Sequence, residues 1–193
     1  MTAARWTKAT VFPDMWVDPD DDPREAGPAP VGERAVLLKQ LDYYRRTIEL
    51  KCAGLDAEQL AWRSVPPSTM SLLGLLRHLA EEERHVRRVM AGEDAPKLYR
   101  TAEDRDGDWN GAVADPEVVA DAWHRWRTEA AATDRFVEGV ADLGTPNAGA
   151  SDYGPDGADV RLRDVLVGQV SEYARHCGHA DLLRERIDGR VGQ

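Results

Sequence analysis

Apolar residues return every three or four positions along four stretches of this chain, the spacing that lines one side of an α-helix. The first stripe, Val36, Leu37, Leu41, Tyr44, Ile48 and Leu55, predicts a helix over about 33–52, with Gly54 as its stop. The second, Leu72, Leu75, Leu76, Leu79, Val86 and Val89, predicts 71–91, with Ser68, Thr69 and Ser71 as candidate N-caps and Gly92 at the far end. Asp115 and Pro116 open a third helix to about 140, whose buried side is Val119, Trp123, Trp126, Ala130, Thr133 and Val137. The fourth runs over about 162–187, with Leu162, Val165, Leu166, Gln169, Val170, Tyr173, Cys177 and Leu182 on its core or site face, and Asp188-Gly189 closing it. Strand-like alternation and internal repeats are missing. Four helices of about 20 residues predict an all-α four-helix bundle.

Between these stripes the chain is punctuated. The connector 55–69 contains Pro66-Pro67, which bars a helix there. The link 93–114 is polar but carries Tyr99 and Trp109, and 144–157 is rich in Gly, Asp and Pro. Residues 1–30 read as an irregular arm, broken by Pro13, Pro19, Pro23, Pro28 and Pro30 and by the acidic run from Asp18 to Asp22. That arm also holds Trp6, Phe12, Met15 and Trp16, so it is expected to lie over the body or over a second subunit. The chain thus divides into an arm, 1–30, and a bundle domain, 31–190.

Composition narrows the function classes. At 193 residues one domain with a sizeable core is expected. A net charge of -10 argues against a nucleic-acid partner and against an anionic membrane surface. No apolar run approaches the ~20 residues of a membrane span, and the N-terminus lacks the apolar core of a signal peptide. Cys52 and Cys177 are too few and too far apart for a disulfide framework, which fits reduced thiols in a cytoplasm.

The chemistry concentrates at the end of the fourth helix. Glu172, His176 and His179 project within roughly 60° of one another on a helix turning about 100° per residue. His78 offers a further imidazole from the second helix. Two nitrogens and one carboxylate oxygen suit a divalent metal and leave a position open for water or substrate, as catalytic sites do. An i,i+4 Glu–His pair is also a common surface contact, so spacing alone leaves both readings standing. His179 either ligates in place of Glu172 or supports from behind, and Glu82, one turn from His78, is placed to orient that ring. His85, in the run Glu81 to His85, reads as part of a solvated charged face, and His124, near Trp123 and Trp126, as local packing. Cys177 points about 100° away from His176, which reads as a buried core thiol rather than a nucleophile. Phosphate loops, nucleophile elbows and Cys-x-x-Cys pairs are absent.

Two long motifs carry a resemblance: PPSTMSLLGLLRHL at 66–79 and EYARHCGHADLLRERIDG at 172–189. They resemble the DinB superfamily, and within it the mycothiol S-transferase branch, over about residues 31–190; the mycothiol-dependent maleylpyruvate isomerases are related. The resemblance implies a DinB-like four-helix bundle and a divalent metal, zinc or alternatively nickel, held by His78, Glu172 and His176. It also implies a low-molecular-weight thiol cosubstrate transferred to an electrophile, in detoxification or stress. Two positions depart from the pattern: Gly168 stands where many relatives carry His, and Cys177 where Asn is usual. The expected function is a metal-dependent thiol S-transferase with small-molecule partners and a possible homodimer. A hydrolase or isomerase on the same site, or a non-catalytic metal-binding stress protein, are the alternatives.

Overall fold

In a computed structural model, which describes residues 16–17, 21–148 and 160–192, the described residues form six α-helices and no strand. Four are long: α1 (Glu33–Cys52), α3 (Leu72–Ala91), α5 (Pro116–Gly139) and α6 (Leu162–Asp188). Two are short and sit in the connectors: α2 (Ala57–Ala61) and α4 (Gly107–Asn110). The long helices match the four apolar stripes. The short ones escape a periodicity argument because one turn of helix has no stripe to show.

Local chemistry sets the boundaries. Ser71 Oγ accepts from the Gly74 amide at 3.1 Å, and Asp115 accepts from the Glu117 amide at 2.8 Å with Pro116 behind it. Gly92 and Gly189 end α3 and α6 in the left-handed region, with φ of 66° and 77°.

Two apolar clusters fix how the helices run. At one end, Leu72 to Leu79 of α3 meets Ala122 and Trp126 of α5, Ile48 and Cys52 of α1, and Tyr173 to Leu183 of α6. At the other end, Val86, Val89 and Met90 of α3 meet Val137 of α5 and Leu162 to Leu166 of α6. Hence α3 runs parallel to α5 and antiparallel to α1 and α6. Parallel neighbours cannot be joined by a tight turn. The link after α3 must return the length of a 20-residue helix, about 30 Å, before α5 begins. It therefore travels along the outside of α3, over the face that carries His78.

A polar group locks the bundle's middle. Glu83 is fully buried and accepts from Arg45 Nε and Nη2 at 2.8 and 2.9 Å and from the Tyr173 hydroxyl at 2.7 Å. Tyr173 in turn accepts from Trp126 Nε1 at 2.8 Å. Glu81 is buried too, with its carboxylate on the amides of Tyr99 and Arg100. This corrects the expectation of a solvated charged face at 81–85: Glu83 turns into the bundle, onto Arg45 and Tyr173, and the crossover covers Glu81 and supplies its partners. Val36 and Leu182, placed in apolar stripes, are 49% and 57% exposed. His124 is exposed as well, on the outer surface of α5, rather than packed.

Of the arm, Trp16 is buried beneath a cage of cations. Lys51 Nζ and Arg190 lie 3.8 Å from its ring centroid, and Arg184 lies 5.2 Å away. A 3₁₀ turn at Pro23–Glu25 follows, where Arg24 bonds Asp22 over Tyr43. Trp6, Phe12 and Met15 lie outside the described residues, as does most of the 144–157 loop.

Candidate metal centre

Three ligand-type side chains converge between α3 and α6. One atom each from His78, Glu172 and His176 lies within 4.8 Å of the others. Glu172 Oε1 stands 3.3 Å from His78 Nε2 and 3.0 Å from His176 Nε2. Antiparallel packing of α3 on α6 makes this meeting possible, because it brings the early part of one helix against the later part of the other. Both histidines are buried; Glu172 is half-buried. The sequence expectation for these three positions therefore corresponds to one cluster in space.

Each imidazole has its far nitrogen occupied. His78 Nδ1 lies 2.9 Å from Asp108 Oδ2, and His176 Nδ1 lies 3.3 Å from His179 Nδ1. Those contacts leave both Nε2 atoms turned toward the Glu172 oxygen. The donor set fits a divalent cation: two borderline nitrogens and one hard oxygen on a shared point, with a second layer behind them. Trp109 closes one side. Its ring stacks on His78 at 5.0 Å and 25°, and lies 6.2 Å from His176. Gly74 makes room for it, since a Cβ there would stand 2.7 Å from Trp109 Cε3.

Electrostatics follow from the packing. Burial alone lowers an imidazole's pKa, but bonds to Asp108 and Glu172 and the charge of Glu82 outweigh it and hold His78 up at about 9. The bond from His78 takes Glu172 down to about 2 against its partial burial, with His176 adding to the pull. Burial and the His78 charge press His176 down to about 4, with Glu172 opposing. At neutral pH the ion-free trio is thus an imidazolium, a carboxylate and a neutral imidazole.

Other sequence candidates fall as follows. His179 contacts His176 and is absent from the converging set. Glu82 Oε1 is 4.0 Å from His78 Nε2, while the bond to Nδ1 belongs to Asp108. Cys177 is buried beside the Tyr44 carbonyl, and burial pushes its thiol up to about 12, so it stays protonated. Arg175, 67% exposed at its side chain, stands 3.5 Å from Glu172 Oε2 at the rim. Arg184 is buried and bonds the Lys51 and Ala53 carbonyls, an α1–α6 brace. Sequence reasoning missed Asp108 and Arg100. Both sit in the crossover, where neither periodicity nor spacing ties them to His78.

The helical bundle and its inward His/Glu/His cluster define a DinB-like protein. The sequence profile of the Mycothiol-S-transferase family matches residues 36–189, and the chain belongs to that family. No functionally curated protein matches it. Among solved structures it is similar to a conserved protein from Enterococcus faecalis, with a TM-score of 0.55 and 17% identity. That likeness covers 83% of this chain and 99% of the other, and speaks for the fold alone. Among the described residues no helix is long and apolar enough to cross a membrane.

Proposed function

We propose that this chain is a metal-dependent thiol S-transferase, with His78, Glu172 and His176 holding one divalent ion, zinc or alternatively nickel. The observation that carries the reading is the convergence of these three donors within 4.8 Å, in a family named for thiol transfer. When bound there, a divalent ion favours thiolate over thiol at its open position. The protein's own part is positional. His78 and His176 present Nε2 because Asp108 and His179 occupy the opposite nitrogens. Trp109, stacked on His78, covers the cluster on one side. Arg175, 67% exposed at its side chain and 3.5 Å from Glu172 Oε2, is a cation at the rim of the cluster, placed for an anionic substrate group. In the transfer, the cosubstrate's S–H proton goes to solvent and the sulfur's electron pair forms a bond to the electrophilic carbon. Any leaving group departs with its own pair.

The test is elemental analysis of purified protein beside a Glu172→Ala/His176→Ala variant, followed by thiol conjugation with the metal-loaded protein. About one divalent ion per chain is expected in the first and a small fraction in the second. Equal metal content in both would sink the assignment. Hydrolysis of an ester or amide substrate without thiol conjugation would move the site to the hydrolase class.

A further inference from the structure

Around Asp108, the crossover between α3 and α5 is bound by three α3 residues in a little over one helical turn. Arg77 donates to the Asp108 and Gly107 carbonyls, both at 2.9 Å, and stacks its guanidinium 3.8 Å over the Tyr99 ring. Glu81 takes the amides of Tyr99 and Arg100. His78, between them, takes the Asp108 side chain. Two of these contacts fix backbone. The third fixes a carboxylate against an imidazole, which anchoring alone does not require.

Asp108 is wholly buried, and every bond around it is directional. Oδ1 accepts from the Trp109 amide at 3.1 Å. Oδ2 accepts from Arg100 Nε at 3.0 Å, Arg100 Nη2 at 2.7 Å and His78 Nδ1 at 2.9 Å. Arg100 Nη2 also lies 2.7 Å from His78 Nδ1, so the guanidinium, the carboxylate and the imidazole edge form one close cluster. Asp108, its pKa lowered despite burial by the bonds from His78 and Arg100, is an acceptor only, so the 2.9 Å contact with Oδ2 calls for the proton of a neutral His78 on Nδ1. Nε2 is then the lone-pair nitrogen whenever the ring is neutral, and it faces Glu172. A buried carboxylate held on two sides cannot swing away, so the ring plane is fixed as well as its tautomer.

We infer that Asp108, clamped by Arg100, is a positioning residue that sets the tautomer and orientation of His78 for metal binding. The inference rests on the proposed metal site. The two histidines differ in their backing: His78 has a carboxylate and His176 has a second imidazole. Loss of Asp108 should therefore disturb one ring and spare the other.

The experiment is zinc affinity by chelator competition for wild type, Asp108→Asn, Arg100→Gln and His78→Ala, with the ring nitrogens of the zinc-loaded proteins followed by ¹⁵N NMR. Asp108→Asn is expected to weaken zinc about 10- to 100-fold. Its His78 signals should depart from the Nδ1–H pattern while those of His176 stay put, a selectivity that general loosening of the fold would not give. Arg100→Gln, on the outer side of the cluster, should shift the same His78 signals with a smaller affinity loss. It carries the test alone should Asp108→Asn not fold. Zinc affinity within twofold of wild type and an unmoved His78 spectrum in the folded variants would overturn the inference. If that result comes with loss of zinc in His78→Ala, the metal site stands and only the role of Asp108 falls. Full zinc occupancy in His78→Ala would remove the site and the inference together.

Discussion

Metal binding at the proposed site would have to compete with a proton, and the size of the competition follows from His78. Held up at about 9 by Asp108 and Glu172 against its burial, that ring is about 99% protonated at pH 7. Its Nε2 is then a donor to Glu172 and has no lone pair for a cation. Glu172, down at about 2, and His176, down at about 4, are already in their ligating forms. One proton therefore leaves for each ion bound, and the apparent association constant rises tenfold per pH unit while His78 stays mostly protonated. Between pH 6 and 8 the expected gain is about a hundredfold. The stability of the ion-free protein moves the other way. A histidine with a raised folded pKa contributes fully below its unfolded value of 6.5, and the contribution is lost as pH climbs through about 9. Zinc should thus raise the melting temperature more at pH 8 than at pH 6. Chelator competition, corrected for the chelator's own protonation, gives the slope. Calorimetry in buffers of different ionisation enthalpy gives the proton count. A zinc affinity flat from pH 6 to 8, or a count near zero at pH 7, would refute the assignment of His78 as the proton-bearing ligand.

Three further outcomes follow from packing and charge. Gly74→Ala drives a Cβ against Trp109, a ring that cannot bend aside. It should cost about 1–3 kcal/mol, lower the melting temperature and shift tryptophan emission as the indole leaves His78; an unchanged emission spectrum would mean that Trp109 is not seated there. Arg45→Ala leaves Glu83 buried without its counter-charge and should destabilise by about 3–5 kcal/mol in urea titrations, a loss under about 1 kcal/mol arguing against the network. Glu129 is buried, which alone would raise its pKa, yet bonds from Arg84 and Arg87 bring it below the ordinary carboxylate value. Its stabilising share is present above the unfolded pKa and is lost as pH falls through the lower folded one. Glu129→Gln should therefore cost more at pH 7 than in strong acid, and an equal cost at both would show that the ion pairs contribute nothing.

The helices were legible in the sequence because burial on a helix repeats every 3.6 residues. His78, Glu172 and His176 lie in two of those helical stretches, but spacing alone left a surface Glu–His pair open as well. It was the two long motifs at 66–79 and 172–189 that singled the three out. The charged run at 81–85 was misplaced because polarity was taken for exposure. Glu83 and Glu81 are buried by partners far away in sequence, Arg45 and the amides of Tyr99 and Arg100, and no local pattern announces them. Asp108 and Arg100 were out of reach for a deeper reason. Their proximity to His78 follows from the direction of α5 relative to α3, a property of the whole topology.

That topology explains why the second layer of the site lies in a loop at all. Had α5 run antiparallel to α3, a short turn would have joined them and the outer face of α3 would have stayed open to water. The parallel arrangement forces the chain back along that face. In crossing, it covers His78 with Trp109 and brings Asp108 to the Nδ1 that Glu172 cannot reach. Arg77 and Glu81, flanking His78 on the same helix, hold the passing backbone in register with the imidazole. The crossover thus meets a topological demand and supplies the carboxylate that orients one of the candidate ligands. A substitution that loosens it, such as Arg77→Ala, should therefore weaken metal binding from a position that touches none of the three donors, with zinc affinity as the readout. Unchanged affinity in a folded Arg77→Ala protein would show that Asp108 keeps its place without the crossover's anchor.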